Sequence, residues 1–277
     1  MADITKDDIA ATKPDCAAGA GILAKARTVG INKTKLPLGK MFVLAILAGM
    51  FIGCGALFMT YVKADQALSF APASVLGGFV FSLGLICVIV AGAELFTGNS
   101  LMVIAALDKE ITWGGLAKNW VVVWIGNLIG SLVLVAIIAG CGLYATKAGD
   151  NTIGAQRVAI ASAKESLSVS QIIFRGIMCN FLVCLAVWMG FAGRTVIDKI
   201  FTTIFPVLAF VAMGYEHCVA NMFFLPMGTI ASLAGCGEVL AWSGAVYNIV
   251  LATIGNIIGG AIFVGVLYWL GYRTKKD

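Results

Sequence analysis

Apolar residues gather into six long runs, at about residues 38–62, 75–106, 113–144, 169–192, 200–232 and 240–271. A bilayer core takes roughly 20 apolar residues of helix to cross. Lipid offers no partner to a free backbone N–H or C=O, so the pattern predicts membrane-spanning helices. Pro37 opens the first run, and the second is too long for one simple crossing. Three tryptophans along the third run, Trp113, Trp120 and Trp124, suggest an interfacial belt at one end.

Polar residues interrupt two of the runs in the same way. Gly92-Ala93-Glu94-Leu95-Phe96-Thr97-Gly98-Asn99 and Gly214-Tyr215-Glu216-His217-Cys218-Val219-Ala220-Asn221 share Gly, any residue, Glu, four residues, Asn. A second matched pair follows in the same order, Gly126-Asn127-Leu128-Ile129-Gly130 and Gly255-Asn256-Ile257-Ile258-Gly259. The two pairs are separated by similar but unequal lengths of chain, so one half carries a short insertion. Each half holds three crossings, an odd number, so the second half enters the membrane from the opposite side. The prediction is an inverted repeat about an axis in the membrane plane, with the second and fifth helices broken.

Composition agrees: 60% of the 277 residues are hydrophobic and 12% charged, against about 25% charged in soluble proteins. The net charge of +5 does not point to nucleic acid, because the positives cluster at the membrane edges. One side collects fourteen Lys and Arg: Lys6, Lys13, Lys25, Arg27, Lys33, Lys35, Lys40, Lys109, Lys118, Arg194, Lys199, Arg273, Lys275 and Lys276. Its opposite has four, Lys63, Lys147, Arg157 and Lys164. The positive-inside rule therefore places both termini in the cytoplasm of a multi-pass cell-membrane protein. Residues 1–37 read as an amphipathic segment at the membrane surface or a partly ordered tail, 38–271 as the channel domain with repeats at about 38–145 and 169–271, and 272–277 as a tail. The polar start is wrong for a cleavable signal peptide. Eight scattered cysteines without a C-x-x-C pair read as small buried hydrophobes.

A helix broken inside the membrane turns terminal N–H groups toward whatever lies at the break. His217, the only histidine, sits at such a break. As an imidazolium it would attract an anion and could give it a proton; as a neutral ring it could still hydrogen-bond one. Thr97 is the best polar group of the first break, because its hydroxyl can donate. Glu216 and Glu94 are expected to accept hydrogen bonds from loop backbone at a helix end. Asn180 and Asn221 are candidates for orienting Thr97 or His217. Asn127 and Asn256 are candidates for tying neighbouring helices together, and Asn99 is the matched structural Asn of the first break. Phe81, Leu85, Leu95 and Phe210 could form an apolar constriction, or simply pack. Lys164, just before the fourth run, could raise the local anion concentration. Arg175, one or two turns into that run, either snorkels to the interface or faces a wet vestibule.

Over nearly its whole length the chain resembles the formate/nitrite transporter family. The matching runs are Phe81-Ser82-Leu83-Gly84-Leu85, Ala93-Glu94-Leu95-Phe96-Thr97, Asn180 to Trp188, Gly214 to Asn221 and Thr253 to Gly260. The resemblance implies an aquaporin-like six-helix bundle, one pore per protomer, in a homopentamer surrounded by lipid. It also implies passage of small monovalent anions such as formate, nitrite or hydrosulfide. One histidine, with no nearby Asp or H-E-x-x-H, argues against an enzyme, and no cofactor or metal is expected. It carries the central histidine onto His217, the loop threonine onto Thr97, the constriction onto Phe81, Leu85, Leu95 and Phe210, the vestibule lysine onto Lys164, and the histidine's neighbours onto Asn180 and Glu216. Formate is the first expectation, with proton exchange near the centre. A neutral-solute channel and an intramembrane enzyme are the rivals from other classes.

Overall fold

A computed structural model of the protein describes residues 16–143 and 152–273. Lys6, Lys13, Lys147, Lys275 and Lys276 lie outside the described residues. Among the described residues the chain is helical. The first half comprises α1 (Gly19–Thr34), α2 (Leu38–Lys63), α3 (Phe70–Gly92), α4 (Gly98–Leu107) and α5 (Trp113–Gly140). The second comprises α6 (Thr152–Glu165), α7 (Val169–Ala192), α8 (Val196–Ala212), α9 (Cys218–Leu233) and α10 (Trp242–Tyr272). The second crossing is α3 and α4, beginning a little before the expected position, and the fifth is α8 and α9. Capping boxes at Ser168 with Gln171 and at Thr195 with Asp198 start α7 and α8.

Both breaks fall at a glycine in the left-handed region of backbone space. Gly92 has φ +86 and Gly214 has φ +70, a region that costs a residue with a Cβ. Each ends its helix and lets the chain cross to the next.

The inverted repeat is visible in hydrogen bonds as well as in helices. Glu94 N–H donates to Leu44 O, and Glu216 N–H to Arg175 O. Asn127 Nδ2 donates to Ala45 O and Glu94 O, at 2.8 and 2.9 Å, while its Oδ1 accepts from Phe96 N–H at 2.9 Å. Asn256 repeats this with Gly176 O and Glu216 O, both at 2.8 Å, and Cys218 N–H at 2.9 Å. The two residues thus tie each break to both helices beside it. These bonds set the register of the halves: Leu44 on Arg175, Ala45 on Gly176, Glu94 on Glu216 and Asn127 on Asn256. Continued upstream, the same register carries α1 onto α6. The repeat is therefore longer than the six apolar runs suggest, because each half includes its amphipathic surface helix.

Close packing uses the matched glycines. A Cβ on Gly130 would overlap Ile46 O, and one on Gly259 would overlap Ile177 O, the equivalent residue. Without a hydrophobic drive between helices in lipid, such close backbone approach is what holds α5 on α2 and α10 on α7.

Two expectations change. Trp120 and Trp124 do not form a belt with exposed Trp113. Their indole N–H groups point inward, Trp120 to Asn99 O and Trp124 to Thr253 Oγ1, both at 3.0 Å. The register that sets Asn127 on Asn256 also sets Trp124 on Thr253, so equivalent positions meet across the axis. Of the eight free cysteines, Cys179, Cys184, Cys218 and Cys236 are buried, but Cys16 and Cys141 are exposed.

Candidate functional site

The two breaks meet at the middle of the bundle. His217 caps α9: its Nδ1 accepts the Ala220 N–H at 3.1 Å. A ring nitrogen that accepts a hydrogen bond carries no proton, so the neutral ring holds its hydrogen on Nε2. Nε2 lies 3.1 Å from Thr97 Oγ1 in the opposite break. In this tautomer Nε2–H donates to the threonine oxygen, which leaves the Thr97 hydroxyl hydrogen for another acceptor. A second proton on the ring would have to take Nδ1 and break the cap.

Thr97 is fixed from behind. Asn180 Nδ2 donates to Thr97 O at 3.2 Å, Ser100 Oγ at 3.1 Å and Asn256 O at 2.6 Å. Thr97, Asn180 and His217 are all buried. Asn180 therefore reaches the centre through Thr97, and Asn221 does not. Asn221 Nδ2 instead donates to Glu216 Oε2 and Asn248 Oδ1, both at 2.7 Å.

Among the described residues neither glutamate side chain accepts from loop backbone, contrary to expectation. Glu216 accepts from Lys164 Nζ at 2.9 Å, and Asn248 Nδ2 joins Asn221 on its other oxygen at 3.1 Å. Glu94 accepts from Lys33 Nζ at 2.6 Å and from Asn99 Nδ2 at 2.8 Å, with Asn99 also bonded to Asn119 Oδ1. A buried carboxylate is tolerable when a cation and hydrogen bonds satisfy it, and side chains supply both. Lys33 and Lys164 fall in the register that pairs Leu44 with Arg175, so they are equivalent partners of equivalent glutamates. Reading Lys33 only as a cytoplasmic positive missed this. Extending the repeat upstream of the first crossing would have paired it with Lys164.

A cavity lies on each side of the centre. One, of about 180 Å³, is lined by Lys63, Lys164, Arg175, Glu216, Phe81, Phe210 and His217 among others. The second, of about 540 Å³, is lined by Lys25, Lys33, Lys199, Glu94, Leu85 and Leu95 among others. Thr97 lines neither, and the four apolar residues divide: Phe81 and Phe210 line the smaller cavity, Leu85 and Leu95 the larger. Phe210 stacks on the His217 ring at 5.8 Å, and Phe81 meets Phe210 edge-on at 5.8 Å. Phe224, not singled out in the sequence, adds a third ring at 6.3 Å from Phe81, with Lys164 Nζ 5.6 Å above it. Glu165, on α6 beside Lys164, has one carboxylate oxygen buried without a partner. Burial, and then the Glu238 carboxylate, push its pKa up.

Two inverted broken-helix repeats around a buried polar centre, with a cationic vestibule on either side, define a membrane channel or transporter. The family model described as formate/nitrite transporter matches residues 20–270, and the chain belongs to that family. It is 40% identical over 268 residues to the formate channel FocA of Escherichia coli strain K12, covering 91% of this chain and 93% of FocA. It is 41% identical over 259 residues to a probable formate transporter of Methanothermobacter thermautotrophicus, covering 88% and 92%. A solved pentameric formate channel with formate bound superposes with a TM-score of 0.74 at 38% identity, covering 85% of this chain and 97% of that one.

Proposed function

We propose that the protein carries small monovalent weak-acid anions, formate first, across the cell membrane as a homopentamer with both termini in the cytoplasm. The observation that carries the reading is the His217–Thr97 pair, buried between two cavities that apolar side chains help to line. Relatives named as formate channels and a pentameric neighbour support the substrate and the assembly. The geometry also suits nitrite and hydrosulfide, the other anions of this reading.

The anion gathers in a lysine-lined vestibule and meets the apolar ring. Carrying a bare charge through such a ring costs at least several kcal/mol. Protonating a carboxylate with a pKa near 4 costs about 4 kcal/mol at pH 7. The neutral acid is therefore the cheaper crossing species, and a weak acid suits the path better than chloride. At the centre the anion takes a hydrogen bond from the Thr97 hydroxyl, which Nε2–H of His217 backs. Lys164 and Lys33 hold their glutamates and leave the vestibules cationic.

Formate uptake into proteoliposomes tests this. Wild type is expected to give saturable uptake faster at acid pH. Thr97→Val removes one charge-assisted hydrogen bond, and uptake is expected to fall about tenfold. His217→Phe is expected to lower uptake at least as much and to flatten its pH dependence. Uptake unchanged in both variants would sink the reading. Glycerol-driven swelling without formate flux would replace it with a neutral-solute channel.

A further inference from the structure

The hydrogen-bond frame is the same in both halves, so side chains that differ at equivalent positions mark where the halves do different work. Leu44 and Arg175 are such a pair. Each gives its carbonyl oxygen to the N–H of a buried glutamate, Glu94 or Glu216. Each lines its own cavity, Leu44 the larger and Arg175 the smaller. The frame needs only the backbone here, and Leu44 shows that an apolar side chain satisfies it. A half-buried guanidinium in the other half therefore serves something besides the fold.

Three cations, Lys63, Lys164 and Arg175, line the smaller cavity. Lys164 is engaged by Glu216 at 2.9 Å and lies over Phe224. The side chains of Lys63, at the end of α2, and of Arg175, in α7, have no ion-pair or hydrogen-bond partner among the described residues. The charge left over in this vestibule thus sits on those two residues and not on the lysine nearest the break.

We propose that Arg175, assisted by Lys63, forms an anion-capture subsite in the Lys164 vestibule that prefers small planar oxyanions, monocarboxylates above all, to spherical anions. The proposal rests on the anion-transport reading and adds a step before His217. A guanidinium presents two parallel N–H groups that match the two oxygens of a carboxylate, which a chloride or hydrosulfide cannot use. Lys63 adds a point charge without that geometry. A cavity of about 180 Å³ admits an anion of a few heavy atoms. The opposite vestibule has Leu44 in the matching place, so capture is one-sided.

The test is a concentration series of formate and hydrosulfide uptake, from the Lys164 side of oriented proteoliposomes, at low and high ionic strength. Wild type, Arg175→Leu, Arg175→Lys and Lys63→Met are compared, with size-exclusion profile and thermal midpoint as folding controls. At low salt, Arg175→Leu is expected to raise the half-saturating formate concentration about tenfold. Its maximal rate is expected to change by less than about twofold. The hydrosulfide curve is expected to move much less, and added salt to shrink the formate difference. Lys63→Met is expected to shift both anions modestly and alike. Arg175→Lys keeps the charge and loses the fork, so it is expected to keep the salt dependence and lose the preference for formate. That variant stands by itself if Arg175→Leu folds poorly: an unchanged formate preference in Arg175→Lys overturns the proposal. So does an unshifted formate curve in Arg175→Leu. Absence of formate uptake in wild type would overturn the transport reading instead, and the two failures are separable.

Discussion

Asn127 and Asn256 each give every polar atom of the amide to main chain. That is why asparagine stands there. A shorter side chain does not reach, and an apolar one strands the carbonyl and the N–H of the break, Glu94 O with Phe96 N–H or Glu216 O with Cys218 N–H, each costing about 1–3 kcal/mol unpaired. Glu165 is the opposite case, a partly exposed carboxylate with too few partners. Burial and Glu238 raise its pKa in the folded state above its unfolded value. The folded state therefore holds the proton better, and the ionised form above that pKa costs stability. Lowering the pH relieves the cost. Glu165→Gln is expected to unfold at a slightly higher temperature than wild type at pH 8, of the order of 1 °C because solvent screens the site. The gain should close as the pH falls toward 4. Thermal scans of detergent-solubilised protein across that range check it, and a gain that grows toward acid pH would contradict the assignment.

Among elements, the breaks were legible and their partners only partly so. Gly92 and Gly214 announce themselves, because a glycine, a glutamate and an asparagine inside an apolar run cannot be plain helix in lipid. Asn127 and Asn256 were legible as a matched pair, since each stands between two glycines at the same spacing. The Lys33–Glu94 and Lys164–Glu216 pairs were not, because α1 and α6 are polar and fall outside the apolar runs. Trp120 and Trp124 misled for a related reason: tryptophans along an apolar run that opens on an exposed one look like a belt unless a buried acceptor is known. The Lys33–Glu94 pair gives a test of the inclusion of α1 in the repeat. Its side chains are 21% and 7% exposed, so Lys33→Met leaves an almost buried carboxylate without its cation. The single change is expected to destabilise by about 3–5 kcal/mol. Adding Glu94→Gln should recover most of it, since the amide removes the charge and can still bond Asn99. A double variant no more stable than the single one would show that α1 contributes little through this contact.

At the scale of the whole molecule, a symmetric frame carries asymmetric chemistry. The matched breaks set Leu95 opposite His217 and Val88 opposite Phe210, and the match of α2 with α7 sets Leu44 opposite Arg175. One half thus holds the imidazole, the larger aromatic ring and the unpaired guanidinium. Which way that half faces decides what the asymmetry means for a cell. From the count of positive charges the Lys164 vestibule is expected outside and the Lys33 vestibule inside. Two native cysteines can decide the matter without engineering a reporter. Cys16 is exposed just before α1, at the end of the bundle where Ala17 N–H meets Ala192 O, and Cys141 is exposed just after α5, at the other end. A membrane-impermeant thiol reagent applied to intact cells is expected to label Cys141 and spare Cys16, and inside-out vesicles should reverse the pattern. Cys141→Ser should abolish labelling of intact cells, and Cys16→Ser that of inside-out vesicles. Labelling of Cys16 from outside would invert the protein in the membrane. The subsite at Arg175 would then face the cytoplasm and capture the anion from that side.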